Sequence, residues 1–265
     1  MKSTVVAVIN QKGGVGKTTT AVNLATAVAA IGKKVLVIDL DPQGNATTGF
    51  GMPKGRGVYS SYGVLIGMTD VNEVVQKTYV EGLYLLPSTI DLSAAEVELS
   101  SMKDRDSKLK YAIQDIKYDY IFIDCPPGFG FININALNAS DKIIIPLQCE
   151  FYALEGLAQL FNTVRSVRNT INKNLIVSGI ILTMYDRRNS LSSIIADDVR
   201  SHFGRLVFDT VIPRNVRISE ASSHGKPVIL YDIKSMGAIS YIELAREFLA
   251  REKENLGGKT SVIIN

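Results

Sequence analysis

Val5-Val6-Ala7-Val8-Ile9-Asn10-Gln11-Lys12-Gly13-Gly14-Val15-Gly16-Lys17-Thr18-Thr19-Thr20 is the stretch whose reading decides the fold. An unbroken apolar run ends in a glycine-rich turn, and a helix-like stretch follows. In that setting glycines turn successive backbone N–H groups toward one concavity, and the helix adds the positive end of its dipole. Gln11, Lys12, Gly13, Gly14, Val15, Gly16, Lys17, Thr18 and Thr19 therefore read as a phosphate-binding loop. Lys17 is expected on the β- and γ-phosphate oxygens, with the Thr18 hydroxyl on Mg²⁺. The usual pattern G-x-x-x-x-G-K-[ST] is broken at its first position, occupied here by Gln11. A second lysine, Lys12, stands beside that missing glycine.

Outward from this loop, apolar runs alternate with helical patterns. Strands are expected at 5–9, 34–39, 83–87, 120–124, 142–147, 176–183 and 207–213. Helices are expected at 17–31, 93–102, 107–116, 154–169, 192–203 and 237–254. Several of the apolar runs are continuous, as parallel strands covered on both faces require. The expectation is one α/β domain over 1–254, a mainly parallel twisted sheet with helices on both faces, of the P-loop NTPase kind. Residues 255–265 would form a flexible tail, and the glycine-rich stretch 49–67 a mobile loop.

Ligands of such a sheet collect beyond the carboxyl ends of its strands. Asp39 and Asp41 follow the run Val35-Leu36-Val37-Ile38, and Asp124 follows Tyr120-Ile121-Phe122-Ile123. Asp124 fits a carboxylate placed near Mg²⁺ and acting through a bound water. A GTPase would carry Asn-Lys-x-Asp, whereas Asn172-Lys173-Asn174-Leu175 lacks the acid.

Composition sets bounds. A chain of 265 residues, 46% hydrophobic and 21% charged, suits one large globular domain. Cys125 and Cys149 form no CxxC pair, which points to neither a zinc knuckle nor a disulfide framework but to a reducing cytoplasm. A strand begins within three residues of the start, leaving no room for a signal peptide, and no apolar run approaches a membrane span. His202 and His224 have no metal-ligand partners in the sequence. The net charge of +3 is too small to argue for nucleic acid, but its distribution is uneven. Residues 187–217 hold six arginines, no lysine and three acids, a window charge of +3. Arginines after two strand ends, Arg187, Arg188, Arg214 and Arg217, could share one edge and contact phosphates. From charge alone, a solvated arginine face remains an equal reading.

Asn10-Gln11-Lys12-Gly13-Gly14-Val15-Gly16-Lys17-Thr18-Thr19-Thr20 resembles the deviant Walker A loop of the ParA/MinD group of ATPases. Asp39-Leu40-Asp41-Pro42-Gln43-Gly44-Asn45, Asp124-Cys125-Pro126-Pro127, Pro213-Arg214-Asn215-Val216-Arg217 and Ser223-His224-Gly225-Lys226-Pro227 narrow the likeness to partition ATPases of the ParA/Soj type. Two departures are Gly128-Phe129-Gly130, where the family more often has a hydroxyl residue, and Ser222 in place of a common proline. The resemblance implies Asp41 as the carboxylate that activates water and Asp39 as an outer neighbour of the metal. It implies that Lys12 crosses to the partner's phosphates in an ATP-bound homodimer. It also implies ATP as the nucleotide, with Pro213 and Asn215 beside the adenine, and double-stranded DNA held without sequence preference by Arg188 and Arg217. A ParB/Spo0J-like centromere-binding partner and a nucleoid-associated, cytoplasmic protein complete that picture. Two rivals are a MinD-like membrane-positioning ATPase and an iron–sulfur carrier. The apolar residues Ile239, Ile242, Ala245, Phe248 and Leu249 read as a core-facing stripe, so no stable membrane association is expected.

Overall fold

The computed structural model describes residues 2–256; the expected tail, apart from its first two positions, lies outside the described residues. Seven strands form one sheet: β1 (Thr4–Val8), β2 (Val35–Asp39), β3 (Gln76–Lys77), β4 (Leu83–Leu86), β5 (Tyr120–Asp124), β6 (Lys142–Gln148) and β7 (Ile176–Thr183). Their order is β3-β4-β2-β5-β1-β6-β7. Every pairing is parallel except that of β3 with β4. The helices are α1 (Lys17–Ala30), α2 (Asn45–Gly49), α3 (Ser61–Ile66), α4 (Val71–Val74), α5 (Leu92–Ser101), α6 (Lys108–Ile113), α7 (Phe131–Ala139), α8 (Ala153–Thr170), α9 (Ser190–Phe203), α10 (Val216–Ser223), α11 (Val228–Tyr231) and α12 (Met236–Leu256).

Both faces of the sheet are covered, as the continuous apolar strands require. All five residues of β2 are buried. One apolar layer joins Ile38, Leu86, Ile123 and Ile145 to Leu99, Ile132 and Leu157, and the other joins Val37, Phe122 and Ile144 to Leu24, Tyr241 and Phe248. Helix α1 is small and apolar almost all round (Ala21, Val22, Leu24, Ala25, Ala27, Val28, Ala29), so it can be buried on nearly every side between the sheet and α12. Phe122, Tyr120 and Phe248 pack with ring centroids 5.5–6.2 Å apart, which pins α12 to the centre of the sheet. Each fully buried ring contributes about 1.5–3 kcal/mol of apolar transfer.

The expected strand at 207–213 does not form. The segment lies beside β7 and touches it through isolated bridges at Val207 and Pro213. The amides of Phe208 and Ile212 still donate to β7, but side chains of α12 take groups between and beside them and interrupt the ladder. Arg251 donates to the carbonyl of Val207 at 2.9 Å, and the Glu247 carboxylate accepts from the amides of Asp209 and Thr210, both at 2.9 Å. The glycine-rich stretch also differs from a plain loop, since α3 lies within it. Gly63 is required there because a Cβ would overlap the backbone of Val58.

Connections leave β1 and β5 in opposite directions: α1 leads to β2 on one side, and α7 leads to β6 on the other. The crevice that this reversal opens is where a doubly wound sheet binds its ligands.

Candidate functional site

A cavity of about 410 Å³ opens at the carboxyl ends of the central strands. Gly13, Gly14, Gly16, Lys17, Thr18 and Thr19 form one wall and Asp41, Asn45 and Pro127 another, while Pro213, Arg214 and Asn215 stand across from the loop. Gln11, Lys12 and Val15 do not line it: Val15 is buried, Gln11 is half-buried, and the Lys12 side chain is about half exposed. Of the expected nucleotide residues, Gly13, Gly14, Gly16, Lys17, Thr18, Thr19, Pro213 and Asn215 therefore line one space.

The loop is held from outside itself. The Asn10 side chain donates to the Pro146 carbonyl at 2.7 Å and accepts from the Lys12 amide at 3.0 Å. The Thr183 hydroxyl at the end of β7 donates to the Val15 carbonyl at 2.8 Å. Gly14 and Gly16 have φ of 75° and 87°, which side-chain-bearing residues rarely adopt, so the turn into α1 needs glycine at both. Lys17 donates from Nζ to the Lys12 carbonyl at 2.9 Å, curling back over the loop. Burial lowers its pKa, and the charges of Asp124 and Asp41 oppose that shift.

Parallel register sets the carboxylates. Asp124 is level with Val8 on β1 and with Asp39 on β2, so the two acids are neighbours at the mouth of the sheet. Asp39 is fully buried and spoken for: it accepts from the amide and hydroxyl of Thr47, both at 2.7 Å, and from the Asp41 amide at 3.2 Å. Burial nevertheless pushes its pKa up to about 6. Asp39 thus braces the turn that carries Asp41. Asp41 in turn accepts from the Gln43 amide at 2.9 Å, and the Ser88 hydroxyl donates to its carbonyl at 2.7 Å. Asp41 lines the cavity.

Asp124 is different. It is fully buried, and neither carboxylate oxygen accepts a well-formed hydrogen bond, the Thr18 hydroxyl being close enough to favour the charged form without the geometry of a full bond. Burial raises its pKa well above the ordinary carboxylate value, and the Asp39 charge raises it further; the Thr18 hydroxyl and Lys17 pull the other way. A buried, unpartnered carboxylate beside a phosphate loop fits a cation, which would supply the missing partner. Among the described residues no three His, Cys, Asp or Glu side chains could hold a metal together. An ion here would need nucleotide oxygens to complete its shell.

Sequence reasoning missed several members. Asn10, Thr47, Ser88 and Thr183 act through contacts far along the chain. Thr47 alone had a local signal, a hydroxyl in the turn after Asp39-Leu40-Asp41. The departure at 128–130 has a structural answer. Gly128 donates to the Gln11 carbonyl at 3.1 Å, and the Glu96 carboxylate accepts from the amides of Phe131 and Ile132 at 2.7 and 3.1 Å. Glu96 caps α7 in place of a local hydroxyl, and a Cβ on Gly130 would overlap that carboxylate.

The arginines sit where the sequence placed them but are not free. Arg188 binds Asp186 through two side-chain contacts of 2.9–3.0 Å, which holds the Asp186 carboxyl at about 2. Arg217 pairs with Glu220 at 2.7 Å and Asp232 at 3.5 Å. The Tyr185–Pro213 bridge sets 185–188 beside 213–217, so both arginines belong to one edge of the molecule. Asn215 caps α10, its side chain accepting from the Arg217 amide at 3.0 Å. Cys125 is buried, and its thiol is raised well above its ordinary value by burial, the opposite of a ligating thiolate.

Comparison with known proteins places this geometry. Residues 3–177 match the family described as AAA domain. The chain is 51% identical over 254 residues to the chromosome partitioning protein ParA of Caulobacter vibrioides, covering 94% of this chain and 95% of that one. It is 52% identical over 248 residues to the sporulation initiation inhibitor protein Soj of Bacillus subtilis, covering 93% and 98%. Among solved structures, cobyrinic acid a,c-diamide synthase of Mycobacterium smegmatis with bound ATP analogue and magnesium superposes with a TM-score of 0.83 at 36% identity, covering 96% of this chain and 97% of that one. With relatives this similar over nearly their whole length, the chain belongs to the ParA/Soj family of chromosome-partitioning ATPases.

Proposed function

We propose that this ATPase works as a DNA-partitioning switch: two copies close over Mg-ATP, bind duplex DNA without sequence preference, and release it on hydrolysis. The observation that carries the reading is the convergence of Lys17, Thr18 and Asp41 on one cavity, with the buried Asp124 within reach of all three and Lys12 half exposed on the same loop.

Each residue's task follows from its position. The loop amides and Lys17 bind the β- and γ-phosphates, and Lys17 exchanges its hold on the Lys12 carbonyl for phosphate oxygens. Thr18 and Asp124 would hold Mg²⁺, Asp124 through a water, with Asp39 behind them. When bound, the ion neutralises charge on the transferring phosphoryl group. Asp41 orients the attacking water, and its turn is kept rigid by Asp39, Thr47 and Ser88. Pro213 and Asn215 flank the base. Lys12 has only an exposed carboxylate, Glu150, to give up before it reaches a partner's phosphates, and such a pair is worth at most about 1 kcal/mol. A cation arriving in trans adds transition-state stabilisation, as an arginine finger does. This ties turnover to dimerisation.

DNA contact by Arg188 and Arg217 requires each guanidinium to exchange a carboxylate for a phosphate. A ParB/Spo0J-like partner would stimulate hydrolysis, and DNA binding would keep the protein on the nucleoid in the cytoplasm. The membrane-positioning alternative calls for a free apolar helix face. On α12, Ala245 and Phe248 are buried, Ile242 and Leu249 pack against the same layer, and of the larger apolar side chains Met236 and Ile239, in its first turn, are exposed. No helix among the described residues is long and apolar enough to cross a membrane.

The test is co-sedimentation with DNA and with liposomes, in ATP and in ADP, with light scattering for the dimer. ATP-dependent dimers that pellet with any duplex and not with lipid support the reading. Equal DNA binding in ADP, or capture by lipid alone, overturns it.

A further inference from the structure

Phe151 is the most exposed large hydrophobic side chain among the described residues, at 75%, and its neighbour Tyr152 is 69% exposed. Their rings meet edge to face with centroids 5.0 Å apart, forming one apolar knob. Neither ring joins either core layer. The knob occupies the turn between β6 and α8, and the residue before it, Glu150, holds Lys12 of the phosphate loop. The aromatic pair therefore stands beside the phosphate loop, next to an anion and a cation that are each about half exposed.

We propose that Phe151 and Tyr152 form the apolar centre of the face through which a second copy of this chain closes over the nucleotide site. The inference rests on the reading that two copies sandwich the nucleotide. The occupant follows from the patch's complementarity to itself. Two-fold association sets each feature against the partner's copy of the same patch. Rings then meet rings, and each Lys12, on leaving its own Glu150, moves toward a surface that carries the partner's carboxylate. A partner bearing one sign of charge would leave either Lys12 or Glu150 facing its own kind. Rigid aromatic side chains are also the usual anchors of interface centres, where a ring buries about 150–250 Å².

The experiment is sedimentation velocity with a non-hydrolysable ATP analogue on wild type, Phe151→Ser, Tyr152→Ser and Tyr152→Phe, together with nucleotide titration of dilute monomer. Both rings are solvent-facing, so the serine variants should fold, which thermal melting verifies. Each serine variant is expected to weaken the nucleotide-dependent dimer by about tenfold or more, as hot-spot truncation does. Monomer affinity for the analogue should not change, and Tyr152→Phe should keep the wild-type dimer. Serine variants that dimerise like wild type would overturn the assignment. So would loss of monomer nucleotide binding, which would place the rings in the pocket instead of the interface. A wild type that stays monomeric with the analogue would remove the sandwich reading itself, and the patch with it.

Discussion

Lys17 and Arg188 present a cation in two opposite ways. Lys17 is almost wholly buried, its ammonium resting on a backbone carbonyl of its own loop within the field of Asp124 and Asp41. Arg188 leaves 87% of its side chain in solvent and already holds a carboxylate, Asp186. In the first case the fold has met the cost of desolvation and orientation before any ligand arrives, so one residue can decide binding. In the second, a ligand phosphate replaces a partner of similar strength in water, and little net energy comes from any single exchange. A site built like the first depends on individual residues. One built like the second depends on their number and on salt.

This contrast can be broken, starting with the largest effect. Asp41→Ala should bind ATP and dimerise, yet hydrolyse it about a hundredfold more slowly, the low end for a residue that handles the attacking group. Normal single-turnover hydrolysis would remove Asp41 from the chemistry. Lys17→Ala should weaken ATP binding by about tenfold to a hundredfold, the worth of one charge-assisted hydrogen bond. Isothermal titration showing wild-type affinity would make the buried lysine no more decisive than an exposed one. Lys12→Ala should retain monomer binding and lose the ATP dimer, as light scattering would show.

Glu247 lies between the extremes, mostly buried and holding the segment that leads to Pro213. Burial alone would raise its pKa, but the amides of Thr210 and Asp209 and the charge of Arg251 outweigh it and hold the carboxyl below its usual 4.5. A depressed carboxylate contributes stability that is complete above the unfolded value and lost as pH falls through the folded one. Glu247→Gln should therefore cost about 1 kcal/mol at neutral pH, allowing for the solvent that reaches the pair. The gap to wild type in thermal melts should close below about pH 4.5. A gap independent of pH would mean that shape, not charge, is what Glu247 supplies.

The smallest effect belongs to the exposed edge. Replacing Arg188 or Arg217 with Ala should reduce the slope of log K against log salt for duplex DNA by about 0.9 for each phosphate no longer neutralised, with ATP binding intact. Unchanged slopes in both variants would leave the arginines as a solvated face.

What was legible in the sequence divides along the same line. The phosphate loop could be read because its residues are contiguous and its glycines have one geometric purpose. Asp39 and Asp124 could be placed because an apolar run ending in an acid puts that acid at a strand end. Asn10, Ser88 and Thr183 could not, because each acts on a partner that only folding brings near; Asn10 and Pro146 are far apart in the chain. The segment at 207–213 misleads for a related reason. Its apolar pattern suits a strand, but Arg251 and Glu247 on α12 take up the Val207 carbonyl and the amides of Asp209 and Thr210, which interrupts its pairing with β7, and no local pattern reveals that. The run of arginines was visible, yet their carboxylate partners Asp186, Glu220 and Asp232 became partners only through the turns of the fold.

The two margins of the sheet carry a consequence for assembly. At one end stands β3, only two residues long and running against its neighbour. At the other, β7 is shadowed by 207–213, whose amides at Phe208 and Ile212 donate to the carbonyls of Ile180 and Leu182 at 2.9 and 2.8 Å. Neither margin offers the long, straight row of idle donors and acceptors on which a foreign strand could be templated. Copies of this chain are thus steered away from stacking sheet on sheet into open-ended fibres. The loop-bearing mouth is left as the place for the proposed nucleotide-dependent contact, and an association controlled there could be undone.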